Sequence, residues 1–154
     1  NRPADALEAA ELLAAVLGQA RDVESLLLDA FADRSRITWS RSGESYQLTL
    51  TLDDDRSQQV TVEPAGDDPA DRLLVIYSTC CPAEPGFFEH ALRLNARMPH
   101  GGITLRNIDG QPHFVVINSY PRATIDAEEI RKSVLAVATH ADEVEQQLTG
   151  LDRN

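Results

Sequence analysis

The sequence predicts an α+β domain, a twisted antiparallel sheet of about five to six strands with helices packed mainly on one face. Hydrophobic periodicity is the first observation: apolar residues recur at steps of three or four near both ends of the chain and alternate with polar residues in between. The second is Asp109-Gly110, which separates two apolar stretches and predicts a hairpin. Strands joined by such short turns pair antiparallel, which leaves the helices to cover one face.

The chain is long enough for one domain with its own core. Its 154 residues and hydrophobic share of 42% are typical of a globular protein. We predict that residues 21–150 form the single α+β domain and that residues 1–20 are an N-terminal helical extension.

The first part of the chain is helical by pattern. Residues 4–17 place Leu7, Leu13 and Leu17 on one side, and residues 21–32 do the same with a second apolar set. Gly18 lies between them, so the pattern allows either two helices or one bent helix.

Three or four strands are predicted next: residues 37–40 are a short candidate, and residues 46–53, 58–63 and 73–79 are the others. The second and third alternate between apolar and polar residues, as half-buried strands do. Residues 73–79 are apolar almost throughout, which predicts a strand in the centre of the sheet. Residues 64–72 form an acidic loop with two prolines.

A short helix, residues 87–97, follows and is stopped by Pro99, because the residue before a proline avoids the helical region. Asn95 lies on its apolar face. We predict that its amide bonds to the backbone of the turn, since an unpaired buried amide costs roughly 1–3 kcal/mol. Asn95, Pro99 and Gly101 are thus the candidate structural turn, with a solvated Asn95 as the alternative.

The predicted hairpin, residues 103–108 and 112–118, leads to a long last helix. Asp126 and Glu129 have the spacing of a capping box, and Gly150 is expected to end the helix. One apolar stripe runs along it: Ile130, Val134, Val137, Ala141, Val144 and Leu148.

Charge and composition exclude several classes of function. The net charge of −11 disfavours phosphate backbones, so no nucleic-acid partner is expected. No apolar run is long enough for a membrane span, and no secretory signal is recognisable, so a cytoplasmic location is expected. Cys80 and Cys81 are adjacent and should point to opposite faces as free thiols; a vicinal disulfide or redox switch is the alternative.

The sequence contains no recognisable catalytic or metal-binding motif. It lacks a phosphate-binding glycine loop, a nucleophile elbow, a C-x-x-C pair and an H-E-x-x-H pair. Its four histidines are not spaced as a ligand pair. We therefore expect no cofactor, no metal and no enzymatic activity.

The segment LRLNARMP, followed by GGITL, a DG turn and HFVVI, resembles the core of the bacterial YbjN-type family in the type III secretion chaperone-like superfamily. Such proteins carry a leucine-rich helix that ends in an asparagine and then a proline, followed by a hairpin and a terminal amphipathic helix. The matching positions here are Leu92, Leu94, Asn95, Met98, Pro99, Asp109, Gly110 and residues 126–148.

This resemblance implies a twisted antiparallel sheet with helices against it, commonly as a homodimer, and no catalytic residue. Secretion chaperones of the superfamily are small acidic proteins that bind an extended stretch of another protein. The expected function is a non-catalytic protein-binding module with a peptide or protein partner. The alternative is a small-molecule-sensing or regulatory domain, with a pocket between sheet and helices lined by Trp39 and tyrosines.

The candidate partner-binding or dimer surface comes from an apolar arc wider than one helix face needs. Its residues are Phe87, Phe88, Leu94, Met98 and Leu135. Packing in the core is the alternative for each of them.

Overall fold

The computed structural model describes residues 5–10, 22–33 and 35–151. Helical residues 5–10 (α1) and Val23–Ala30 (α2) precede the sheet, Phe88–Asn95 (α3) lies between strands, and Ala127–Leu151 (α4) closes the described chain. Leu13, Leu17 and Gly18, on which the first predicted helix and its interruption depend, lie outside the described residues. The predicted order of helices and strands is otherwise confirmed.

The described residues form one six-stranded sheet, antiparallel at every pairing. Its strands are β1 Ile37–Ser42, β2 Ser45–Thr51, β3 Ser57–Ala65, β4 Leu73–Pro82, β5 Gly102–Ile108 and β6 Gln111–Pro121. The spatial order β1-β2-β3-β4-β6-β5 leaves β1 and β5 at the edges and β4 inside, as its apolar sequence predicts. The predicted fold class is confirmed.

The helices gather on one face of this sheet. Helix α4 packs across β3, β4 and β6, α2 packs on α4, and α3 lies beside α4 against β5. The predicted stripe of α4 is buried along its whole length, and Leu27, Leu48 and Ile76 meet it from α2 and the sheet. This layer is the core of the domain.

A local sequence signal accounts for the start of the long helix but not for its end. The N–H of Glu129 donates to Asp126 Oδ1 (2.8 Å), and the N–H of Asp126 donates to Glu129 Oε2 (3.1 Å), which is the predicted capping box. The prediction that Gly150 ends the helix is wrong, because α4 continues to Leu151. Gly150 does not adopt a positive φ, and a glycine inside a helix costs only about 1 kcal/mol.

The β5–β6 hairpin turns at the predicted dipeptide. Asp109 and Gly110 have φ values of 51° and 81°, as a two-residue hairpin turn with positive φ at both positions requires. Ile108 pairs with Gln111 across it, which fixes the register of the edge strand β5.

The ladder between β3 and β4 is incomplete. It runs from Ala65 opposite Leu73 to Thr61 opposite Tyr77, and the remaining residues, 57–60 of β3 and 78–82 of β4, do not pair with each other. We call this opening the β3–β4 fork. Two buried side chains bridge it: Gln58 Nε2 donates to Ser78 Oγ (2.8 Å), which in turn donates to the carbonyl oxygen of Gln59 (2.6 Å).

Candidate protein-binding groove

Helix α3 is short and begins directly after a 3₁₀ turn, Pro85–Phe87. Proline fits the first turn of a helix because it has no N–H to leave unsatisfied. Glu89 and Arg93 form an ion pair one turn apart on its outer side (2.7 Å), which leaves the other side for apolar contacts. The helix thus presents its apolar side towards β5.

The side chain of Asn95 links the end of α3 to the start of β5. Its Oδ1 accepts the N–H of Ile103 at 2.8 Å. Gly101 lies between them with φ of 70°, and its backbone passes so close to Ile117 that a Cβ would lie 2.6 Å from the carbonyl oxygen. These contacts support the structural-turn hypothesis for Asn95, Pro99 and Gly101, which stays a prediction until tested by substitution.

An apolar groove of about 310 Å³ runs between α3 and the edge strand β5. Its walls are Phe88, Ala91, Leu92, Ile103, Thr104 and Leu105, and its floor is Phe114. Phe88, Leu92 and Leu105 are 38%, 66% and 49% exposed, so three large apolar side chains face solvent at one place. We call this feature the α3–β5 groove. A contiguous apolar surface of this kind is typical of a binding site.

The floor of the groove is part of the core. Phe114 of β6 is 3% exposed, and the ring of Phe88 meets it edge-on with centroids 5.9 Å apart. Edge-to-face pairs of this geometry are attractive beyond the area they bury. The shape of the groove is therefore held by the same packing that holds the sheet.

The residues of the predicted surface divide into two groups. Phe88 lines the groove, whereas Phe87, Leu94, Met98 and Leu135 are partly buried and pack against the core. Leu105 was not among the predicted surface residues. Its alternation with polar neighbours in β5 is a usable signal, but only the position of β5 at the sheet edge exposes it.

The surroundings of the groove are not acidic. Residues 86–121, which include α3 and the β5–β6 hairpin, carry a net charge of +1 in a chain whose total is −11. The charged residues in this segment are Arg93, Arg97 and Arg106 against Glu89 and Asp109. Arg106 is paired with Glu63 on the other face of the sheet, so Arg93 and Arg97 balance Glu89 and Asp109 on this side. Repulsion between like charges is therefore weaker here than over the rest of the chain.

The two thiols do not form a chemical site. A β-bulge between Thr79 and Cys81 interrupts the strand alternation, so both free cysteines are buried in the core rather than on opposite faces as predicted. Burial and the neighbouring Cys81 raise the pKa of Cys80 to about 12, and burial together with Glu145 raises the pKa of Cys81. Neither thiol is a thiolate at neutral pH, so neither is an effective nucleophile.

The carboxyl group of Glu145 on α4 has a raised pKa. Burial, and then the neighbouring Asp142, raise the pKa of Glu145 above its ordinary value of 4.5, while Arg56 acts in the opposite direction. Because the folded state holds this proton more tightly than the unfolded state, Glu145 contributes stability at low pH that is lost as the pH rises through the raised pKa.

Glu145→Gln is therefore expected to raise the melting temperature by about 1–3 °C at pH 7. The gain should shrink below the ordinary pKa, where both forms are neutral. Thermal melts of wild type and variant between pH 4 and pH 8 check this, with the exposed Glu44→Gln as control. A difference in melting temperature between wild type and Glu145→Gln that grows as the pH falls would refute the raised pKa of Glu145.

Within the described ranges, no group of three or more His, Cys, Asp or Glu side chains is placed to hold a metal ion. None of the helices described is long and apolar enough to span a bilayer. The groove itself offers mainly apolar contacts, the hydroxyl of Thr104 and the edge of a β-strand, an arrangement suited to binding.

The architecture, an antiparallel sheet covered on one face by helices, is the fold of solved structures of the type III secretion chaperone-like kind. The HopA1–SchA chaperone–effector complex contains a similar chain: TM-score 0.53, 13% identity, 83% of this chain and 96% of that one covered. YbjN from E. coli, described as a candidate transcription regulator, is also similar: TM-score 0.50, 13% identity, 82% and 92% covered. The predicted resemblance is confirmed for the fold.

Comparison of the sequence with protein-family models and with curated proteins gives no match. At 13% identity the solved structures show a shared fold alone. Function therefore has to be inferred from this chain's own surfaces.

Proposed function

We propose that this chain is a non-catalytic protein-binding module that works as a homodimer, with the α3–β5 groove covered by a second copy. The observation that carries the proposal is the groove itself, where Phe88, Leu92 and Leu105 are exposed side by side. Burying such surface contributes roughly 25 cal/mol per Å². The open edge of β5 alongside it can add main-chain hydrogen bonds.

Charge favours a second copy as the occupant. Two chains of net charge −11 repel each other over most of their surfaces. With Arg106 paired to Glu63 on the other face, the remaining charges of residues 86–121 sum to zero, so this segment is where two copies meet with least repulsion.

The similar solved structures support the wider role. In the HopA1–SchA complex a chain of this fold is part of a chaperone–effector assembly. We extend this to the present chain as a peptide or protein partner held by the dimer. We place it in the cytoplasm on the sequence evidence and its two unpaired cysteines, which fit a reducing compartment.

Light scattering coupled to size exclusion tests the homodimer. Wild type is expected at twice the mass of one chain, and Leu92→Asp and Leu105→Asp are expected at the mass of one chain, because each buries a carboxylate in an apolar interface. Leu28→Asp on α2 is the matched control, since Leu28 is also exposed (56%) but lies away from the groove.

The control should keep the mass of the wild type. Circular dichroism should show that all three variants remain folded, since each replaced side chain is largely in solvent. A wild type that runs as a single chain at high concentration would disprove the homodimer.

The alternative, a small-molecule-sensing or regulatory domain, is favoured by a separate cavity. The pocket predicted between sheet and helices does not use the expected aromatics, because Trp39, Tyr46 and Tyr120 pack in or against the core. Tyr77 instead lines a cavity on the opposite face of the sheet.

A further inference from the structure

The face of the sheet opposite the helices is concave. Val75 and Val115 are 7% and 0% exposed, although they lie on the face away from the helices and outside the main core cluster. Side chains of the sheet itself must therefore cover them. We call this surface the outer face.

Arg106 shows how far the sheet curls. It lies on β5, yet its guanidinium forms an ion pair with Glu63 on β3, three strands away. That separation is about 14 Å in a flat sheet. The guanidinium also lies 4.0 Å from the centre of the Tyr77 ring on β4. The twist of the strands has thus brought the end of β5 over the middle of the sheet.

A cavity of about 610 Å³ opens between this curled edge and the β3–β4 fork. Its volume lies within the range of about 300–1,000 Å³ that small-molecule sites occupy. Its lining includes Gln47, Gln59, Thr61, Tyr77, Thr79 and Asn107, and at the fork it reaches Gln58, Cys80 and Glu145 on the helix side of the sheet. We call it the outer-face cavity. It shares no lining residue with the α3–β5 groove.

The lining is rich in neutral groups that both donate and accept hydrogen bonds. Thr61 Oγ1 donates to Gln47 Oε1 (3.0 Å), which orients the amide of Gln47 with its N–H groups still to be used. The side-chain amides of Gln59 and Asn107 make no hydrogen bond to another described residue. A Gln or Asn amide pairs best with a ligand that offers a donor beside an acceptor.

Charge limits the ligand further. Arg106, the cation of the cavity, is neutralised by Glu63, and Glu145 lies at the rim. A phosphate or carboxylate would meet no free positive charge here and would face the field of a chain with net charge −11. The outer-face cavity therefore disfavours an anionic ligand and is compatible with an uncharged one.

We propose that the outer-face cavity is a binding site for a small uncharged molecule that carries hydrogen-bond donors and acceptors side by side, the chemistry shared by sugars and nucleosides. The amides of Gln47, Gln59 and Asn107 bind its polar edge. The stacked pair of Tyr77 and Arg106 forms one wall against its flatter surface.

NMR titration of the protein, followed through its amide signals, with two sets of probes distinguishes the sources. One set is glucose, galactose and maltose; the other is adenosine and uridine, with adenosine 5′-monophosphate as the charged counterpart. We expect binding from one of the two sets at ligand concentrations up to about 10 mM, and at least about tenfold weaker binding of the phosphate than of adenosine. The shifted amides of the protein should cluster at Gln47, Thr61 and Thr79.

Substitutions in the lining test whether the ligand binds in the outer-face cavity. Thr79→Phe fills the cavity and Gln59→Ala removes one amide from its exposed lining; each should weaken binding by about fivefold or more. Ser119→Ala, on the same face but outside the cavity, should leave it unchanged. The proposal is overturned if neither set binds, if adenosine binds and its 5′-monophosphate binds equally well, or if both cavity variants bind like wild type. The oligomeric state is measured in a separate experiment. A failure of ligand binding therefore does not contradict the homodimer, and a failure of the homodimer does not contradict ligand binding.

Discussion

Gly101→Ala is expected to lower the melting temperature by roughly 10 °C or more, although Gly101 lies in an exposed turn. Two costs add at this position. Its φ of 70° lies in the left-handed region, which costs a residue with a Cβ about 1–2 kcal/mol. The new Cβ would also lie 2.6 Å from the carbonyl oxygen of Ile117, a backbone atom of β6 that cannot turn away.

Two other glycines separate these costs. Gly43 and Gly110 have similar φ values, 63° and 81°, but a Cβ at either would meet no atom within 4 Å. Gly43→Ala and Gly110→Ala should therefore show only the cost of the backbone conformation. If Gly101→Ala melts like these two controls, the close approach between the turn and β6 does not hold in solution.

Phe114→Ala is the second large effect, with an expected loss of about 3–5 kcal/mol in the free energy of unfolding. Phe114 is almost fully buried, and its removal leaves a void beneath α3 and takes away the ring that Phe88 packs against. The groove should lose its shape together with its floor. Urea denaturation of the variant gives the loss directly.

Phe114→Leu is the matched control, because it keeps most of the apolar volume and should lose clearly less stability. Phe88→Ala should also cost little, since Phe88 is partly in solvent. A Phe114→Ala variant as stable as Phe88→Ala would show that the groove is not built on the core.

Local chemistry made most of the fold predictable. Asp126 and Glu129 predict the start of the last helix, because a capping box depends only on two residues three positions apart. Asp109-Gly110 predicts the hairpin turn, because few residue pairs adopt positive φ at both positions at a low cost in free energy. The stretches in which apolar and polar residues alternate predicted the strands. The short connections between them predicted an antiparallel sheet.

Features that depend on distant pairing were not predictable. The β3–β4 fork arises because two strands of suitable sequence stop pairing after Thr61, and nothing in either strand marks that point. The reach of Arg106 to Glu63 depends on the summed twist of four strands. The bulge that buries both thiols depends in the same way on the register between β4 and β6.

The candidate groove was predictable only in part. The sequence indicates that α3 has more apolar surface than one face can bury, which led to Phe88. It does not show that β5 is an edge strand, and that position is what leaves Leu105 and Leu92 exposed together. Exposure of a large apolar side chain is a property of the assembled sheet, not of the helix that carries it.

Photo-crosslinking from the groove tests its role most directly. The full chain with p-benzoylphenylalanine in place of Leu92 should crosslink to residues of α3 or β5 in a second copy, identified by mass spectrometry. The same group in place of Leu28, which is similarly exposed on α2, should give little or no crosslink between chains. Crosslinking that is absent at position 92, or equally strong at position 28, would contradict the assignment of the α3–β5 groove as the binding surface.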